Sequence, residues 1–299
     1  MKEFIYDYYP GCSLKSTGRN YEESLLAVCE NLGIKLNEID DWNCCGATTY
    51  MSVDEASALA LAARNFALVK SESSTIIAPC SACLLVLNKV KDTISKNQEM
   101  REKITDKFKE HHLSLKAEKI KIRHPLDIFV NEYGIEEIKK KIKFSLEGIN
   151  VIPYYGCQIV RPYAFFDDQY SPMTMDNLFS AMGAKIPHYP LKTRCCGGTL
   201  QGTIPEVGTR LNYLILSEAV KRGGDVIVTT CPLCQFNLEC YQNEISKKYD
   251  KDVHIPVIYF TQLMGLALGI SEKELGMNRI LTPHKNLLEK IRSKAVAHA

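Results

Sequence analysis

Residues 75–83 read TIIAPCSAC and residues 225–234 read DVIVTTCPLC. In each, a short apolar, β-branched run leads straight into a Cys-x-x-Cys motif. That pattern reads as a strand, Thr75 to Ala78 and 225–230, whose carboxyl end delivers a pair of thiols. Working outward, the other cysteines fall at matched places. Cys45 and Cys80 are separated by 34 residues, and so are Cys196 and Cys231. Ahead of them lie Cys12 and Cys44 in one block and Cys157 and Cys195 in the other, with first gaps of 31 and 37 residues, as a surface loop of variable length allows. The chain thus carries the block C…CCG…CxxC twice. Flanking residues agree: Tyr8-Tyr9-Pro10-Gly11-Cys12 resembles Tyr154-Tyr155-Gly156-Cys157, and both adjacent pairs run into glycine, Gly46 and Gly197.

The elements around these motifs read as alternating strands and helices. Residues 3–9 form a strand, Asn20 caps a helix over 21–32 whose Leu25, Cys29 and Leu32 fall on one face, and 34–39 is a second strand. An amphipathic helix follows over 53–70, with Leu59, Ala63, Phe66 and Ala67 at helical spacing. The second half gives a strand at 149–155 and helices at 172–183 and 206–222. The fold class is α/β, two pseudo-repeated βα, Rossmann-like halves, with domains at 1–147 and 148–299. In an open parallel sheet the loops after the strands emerge at the carboxyl edge, beside the amino termini of the next helices. Five thiols per half are expected to meet there, in a place that favours anions. The Lys- and Glu-rich stretch 90–120 has no equal in the second half and is expected on the surface or against a partner.

Composition narrows the class. A chain of 299 residues with 45% apolar and 24% charged residues can bury a core in each half without staples. Its 12 cysteines therefore need another explanation. Net charge is +2, far from the basic field of a nucleic-acid binder. Charged residues interrupt the amino-terminal apolar run, and no stretch reaches the roughly 20 apolar residues of a membrane span, so a cytoplasmic, reducing location is expected. Clustered cysteines there point to metal or redox chemistry. No GxGxxG opens a helix and no GxxxxGK[ST] is present, so electrons must come from another protein.

Two CxxC pairs would satisfy a structural zinc ion, but each half offers five thiols. The tight cysteine run of an ordinary cubane cluster is absent from the sequence. Adjacent cysteines serve one small ion poorly and reach different irons of a larger cluster more easily. Iron and sulfide are favoured over zinc, with a zinc-bound assembly scaffold as the alternative. Cys29 and Cys240 stand outside the blocks and are read as packing residues.

The two blocks resemble the cysteine-rich CCG domain, and their tandem arrangement over residues 5–270 is similar to the B-subunit family of heterodisulfide reductase from methanogenic archaea. The resemblance implies two noncubane [4Fe-4S] clusters, one on Cys12, Cys44, Cys45, Cys80 and Cys83, the other on Cys157, Cys195, Cys196, Cys231 and Cys234. It also implies the reaction, reduction of the coenzyme M–coenzyme B heterodisulfide to two thiols in methanogenesis, with the substrate held between the cluster loops. Implied partners are the other heterodisulfide reductase subunits, one carrying flavin and one a small iron–sulfur protein, and an upstream hydrogenase or formate dehydrogenase. A CCG subunit of another oxidoreductase, of lactate or glycolate oxidase type or reducing a different disulfide, is the competing enzyme reading. The coenzymes carry sulfonate, phosphate and carboxylate groups, so Arg161, Lys192 and Arg194 are candidate substrate-binding residues, Lys15 and Arg19 being further cations near a cysteine, and His188 is a candidate proton donor. Tyr8, Tyr9, Tyr154 and Tyr155 are expected to wall the clusters.

Overall fold

The computed structural model describes residues 3–70, 74–115 and 119–296. It is an α/β fold of parallel sheets, and it packs as two compact units. One comprises Met1–Thr17 and Gly33–Pro125, the other Gly18–Leu32 and Leu126–Ala299. The packing units are therefore cut differently from the sequence repeats.

In the first unit, β1 (Phe4–Tyr8), β2 (Ile34–Glu38), β3 (Thr75–Ile77) and β4 (Lys121–Arg123) form a parallel sheet in the order β2-β1-β3-β4. Between β2 and β3 runs helix Glu55–Ala67, whose Leu59, Ala63 and Phe66 are buried. The Asp54 carboxylate caps it by accepting from the Ser57 N–H at 3.0 Å. Helix Ser81–Lys96 follows β3, and helix Gln98–Glu110 packs against both earlier helices through Ile104 and Phe108. The charged stretch expected to face solvent or a partner thus contributes an apolar stripe to this unit's own core; residues 116–118 lie outside the described residues.

The second unit repeats the plan with one strand missing. β5 (Val151–Tyr154), β6 (Val226–Thr229) and β7 (Val257–Tyr259) are parallel in that order, matching β1-β3-β4. Where β2 would lie, pairing shrinks to a bridge, Asn150 with Lys185, and to hydrogen bonds from the Tyr155 and Gly156 N–H groups to Lys192 O at 2.8 and 3.1 Å. Pro187 and Pro190 explain this, since neither has an N–H for a ladder. Helices Thr174–Ala181, Pro205–Lys221 and Pro232–Cys240 cover the sheet. Ile152, Ile215, Leu216, Ile227, Leu238 and Val257 form the apolar core beneath them.

Helix Arg19–Leu32 belongs to the first repeat by sequence and to the second unit by packing. Tyr21 stacks on Tyr259 with ring centroids 4.2 Å apart, and the Ser24 and Thr261 hydroxyls lie 2.6 Å apart. Leu25, Val28, Cys29 and Leu32 are buried, which makes Cys29 a core residue as expected. Asn20 is not the cap: the helix starts at Arg19, and Asn20 is buried inside its first turn. Among the described residues no helix is long and apolar enough to cross a membrane.

Candidate metal centres

Strand ends bring the thiols together. Cys12 follows β1, Cys44 and Cys45 follow β2, and Cys80 follows β3, three neighbouring strands whose carboxyl ends share one edge. Cys80 is the N-cap of helix Ser81–Lys96, and Cys83 lies in its first turn. Cys231 and Cys234 hold the same places on helix Pro232–Cys240, so both CxxC pairs sit where a helix terminus favours negative charge.

Within each unit the five thiols touch in file. In the first, Cys12 and Cys44 Sγ are 3.8 Å apart, Cys44 contacts Cys45, Cys45 and Cys83 Sγ are 3.3 Å apart, and Cys83 contacts Cys80. In the second the order is Cys157, Cys195, Cys196, Cys234, Cys231, the same positions in the same succession. Each file runs from surface to interior. Cys12 and Cys44 are exposed and Cys157 and Cys195 half-buried, while Cys80, Cys83, Cys231 and Cys234 are buried. Among the described residues no three His, Cys, Asp or Glu side chains close round one point as ligands of a single ion. The donor set is a row of soft sulfurs, which suits a group with several metal atoms better than one tetrahedral ion.

Electrostatics in each file favour one shared thiolate. Hydrogen bonds from Cys44 and Cys83 hold the Cys45 thiol down to about 4. Cys44 and Cys83 are pushed up by the same bonds. In the second unit Cys195 is the lowered thiol, through hydrogen bonds from Cys157 and Cys196, with Arg161 helping through its charge. Backbone N–H groups of the CCG loops also reach sulfur: Gly197 to Cys195 at 3.4 Å and Gly198 to Cys196 at 3.5 Å.

A glycine and a tyrosine shape both sites. Gly11 and Gly156 have φ of +70° and +71°, and a Cβ on either would stand 3.0 Å from the sulfur of Cys83 or Cys234. Three residues before the first cysteine of each block, Tyr9 OH donates to Asn43 O at 2.9 Å and Tyr154 OH donates to Arg194 O at 2.6 Å. Both carbonyls immediately precede a CC pair, so each tyrosine ties strand β1 or β5 to its CCG loop. Burial and then the nearby thiols push both phenols up, Cys83 leading for Tyr9 and Cys234 for Tyr154. Sequence alone places these tyrosines at the wall without this tie; their equal offset from cysteine is the available signal. Tyr8 is a buried strand residue, and Tyr155 OH bonds Asp176 Oδ2 at 2.8 Å instead.

The candidate cations divide. Arg161 donates to Thr193 O and lies close enough to Cys195 to favour its thiolate. Lys192 Nζ is 2.7 Å from Asp176 Oδ1 and donates to Pro172 O at 2.9 Å, in a nearly buried ion pair. The fold itself therefore supplies its partner. His188 and Lys192 line a cavity of about 440 Å³ with Asp176 and Tyr189, and no cysteine is among its lining residues. Arg194 is exposed, Lys15 pairs with Glu38 at 2.8 Å, and Arg19 opens the helix that packs in the second unit. Cys240 is half-buried at a helix end, its thiol pushed up to about 11 by burial. His124 is fully buried at the end of β4 with Nε2 2.8 Å from Pro79 O. A carbonyl only accepts, so Nε2 carries the proton and pins the loop entering Cys80. No spacing to the cysteines marks this histidine in the sequence; only its place after a strand does.

Comparison with known proteins agrees with this architecture. A family model described as a cysteine-rich domain, CCG, matches residues 6–88 and 151–239. The 8-methylmenaquinol:fumarate reductase membrane anchor subunit of Wolinella succinogenes is 32% identical over 93% of this chain and 96% of that one. A protein of Archaeoglobus profundus, named as like the B subunit of heterodisulfide reductase, is 29% identical, covering 96% and 97%. The B subunit of the ferredoxin:CoB-CoM heterodisulfide reductase of Methanosarcina mazei is 30% identical, covering 94% and 95%. A crystal structure of a hypothetical protein from Helicobacter pylori shares the fold, with a TM-score of 0.71 at 16% identity over 93% of this chain; the chain spans about half, 52%, of that protein's length.

Proposed function

The chain belongs to the CCG cysteine-rich domain family, carrying the domain twice, and from that premise we propose that it is the iron–sulfur catalytic subunit of a heterodisulfide-reductase-type oxidoreductase. One observation carries the reading: two files of five thiols in the same order, each more open at its first-cysteine end than at its CxxC end. Cys12, Cys44, Cys45, Cys80 and Cys83 hold one noncubane four-iron cluster, and Cys157, Cys195, Cys196, Cys231 and Cys234 hold the other. Such clusters supply single electrons and soft metal sites for a thiolate.

The chain's own residues do the rest. Buried CxxC pairs keep water from the inner end of each file, while the Cys12–Cys44 and Cys157–Cys195 ends leave room for a substrate sulfur. Arg161, beside Cys195, offers a guanidinium fork to a sulfonate, phosphate or carboxylate. Gly11, Gly156, Tyr9 and Tyr154 hold the loops in shape. The substrate is the coenzyme M–coenzyme B heterodisulfide, whose S–S bond takes up two electrons and two protons and leaves as two thiols. Electrons come from a small ferredoxin-like iron–sulfur subunit, fed by a flavin-carrying subunit and a hydrogenase or formate dehydrogenase, in the cytoplasm.

The 32% identity to the Wolinella succinogenes protein favours a second reading, in which the same clusters relay electrons in a quinol-linked reductase. One experiment separates them. The anaerobically purified chain is analysed for iron, zinc and acid-labile sulfide, then given reduced viologen and the heterodisulfide. About four irons with sulfide per block and release of two thiols supports disulfide reduction. Iron and sulfide without thiol release, but with cluster reduction by a menaquinol analogue, supports the relay. Zinc with negligible sulfide leaves the assembly scaffold.

A further inference from the structure

The two thiol files are alike in backbone and unlike in what surrounds the sulfurs. In both CCG loops the second N–H beyond each cysteine reaches that cysteine: Gly46 to Cys44, Ala47 to Cys45, Gly197 to Cys195 and Gly198 to Cys196. The helix that carries the CxxC pair breaks the match. Three residues past its second cysteine the first repeat has Val86 and the second has Asn237, both buried. Asn237 Nδ2 lies 3.6 Å from Cys196 Sγ and donates to Gly198 O at 2.9 Å. Both neighbours are acceptors, so the NH₂ end of the amide is the end that faces them. Four residues past the first cysteine the contrast recurs: Ser16 turns its hydroxyl to Cys12 O at 2.8 Å, whereas Arg161 brings positive charge toward Cys195.

A buried N–H dipole aimed at a ligand sulfur stabilises the extra negative charge of a reduced centre, and burial of Asn237 weakens the solvent screening of that dipole. We propose that Asn237 raises the reduction potential of the centre on Cys157, Cys195, Cys196, Cys231 and Cys234 above that of the centre on Cys12, Cys44, Cys45, Cys80 and Cys83. The second file then fills with electrons first when the chain is reduced. This rests on the iron–sulfur reading above and adds to it the order in which the two centres are reduced.

The test is a mediated redox titration of the full anaerobic chain followed by electron paramagnetic resonance, with iron and sulfide counted in every sample. The wild type is expected to show two midpoints. Asn237→Leu, keeping its iron, should lower the higher midpoint and leave the other in place; Asn237→Gln, which retains an N–H, should recover part of the shift. The reciprocal Val86→Asn should raise the lower midpoint. Unchanged midpoints in iron-replete Asn237→Leu, or a shift confined to the lower one, overturn the proposal. If Asn237→Leu loses iron, Val86→Asn decides, and a lower midpoint that does not rise overturns it. A wild-type chain without sulfide takes down the iron–sulfur reading and this inference together, whereas two intact centres with unmoved midpoints remove only this inference.

Discussion

Gly11 and Gly156 hold positive φ, which costs an alanine about 1–2 kcal/mol, and the sulfur 3.0 Å from the missing Cβ leaves that methyl no space. Gly156→Ala is therefore expected to displace Cys234 and lower iron in the second file while the first keeps its complement, and Gly11→Ala to do the converse through Cys83. Iron analysis with resolved paramagnetic signals checks this; equal loss from both files would contradict it. Lys192 gives a second case. Its ammonium is held by Asp176 with side chains only 13% and 7% exposed, so Lys192→Met leaves a buried carboxylate without its cation and with the Tyr155 hydroxyl as its remaining side-chain donor. Loss of one partner of such a pair costs about 3–5 kcal/mol. Denaturant unfolding of Lys192→Met should show a destabilisation of that size, and substrate affinity per folded molecule should not change. A stable variant with weakened affinity would instead make Lys192 an anion receptor. The glycines were visible in the sequence as neighbours of cysteine. The Lys192–Asp176 pair was not, because the two residues are 16 positions apart and no local pattern joins a charge on an irregular segment to one on a helix.

At the scale of the element, the strand-to-cysteine junctions were legible because a β-branched run ending at a CxxC has one plausible geometry, a strand feeding a helix amino terminus. The succession of the thiols was not, since it depends on β1 lying between β2 and β3, and strand order is absent from local sequence. The missing counterpart of β2 was legible in principle from Pro187 and Pro190. The surface-to-interior run of each file has a chemical consequence. In iron-free, reduced protein, a thiol reagent should modify the exposed Cys12 and the half-buried, thiolate-favouring Cys195 first, then Cys44 and Cys157, whose thiols are pushed up, and last the buried Cys80, Cys83, Cys231 and Cys234. Peptide mapping after timed alkylation reads this order directly. Early labelling of Cys83 or Cys234 would show that the CxxC ends open when metal is removed.

For the whole molecule, repeat and packing unit part company at helix Arg19–Leu32. Amphipathic spacing identified the face carrying Leu25, Cys29 and Leu32 as buried, but periodicity says that a face is covered and not what covers it. The structure supplies Tyr259, Phe260 and Thr261, and the Glu23–Arg279 pair at 2.9 Å adds a further tie within the same unit. A cut between residues 147 and 148, where the sequence repeat turns over, therefore crosses a packed unit. Fragment 1–147 would expose Tyr21, Leu25, Val28 and Leu32 together with Phe129 and Ile138, all buried in the second unit of the intact chain. Fragment 148–299 would lose the ring that stacks on Tyr259 at 4.2 Å and the hydroxyl that bonds Thr261. Loss of one buried aromatic to a cavity costs about 3–5 kcal/mol, a large part of the roughly 5–15 kcal/mol that keeps a domain folded, and each fragment loses several such contacts at once, so neither is expected to fold alone. Co-expression should recover a soluble pair that elutes as one species and carries iron in both files, because helix Arg19–Leu32 can dock from a separate chain. Two independently folded, iron-loaded fragments would show instead that each repeat carries a self-sufficient core and that the helix contributes little to the unit in which it lies.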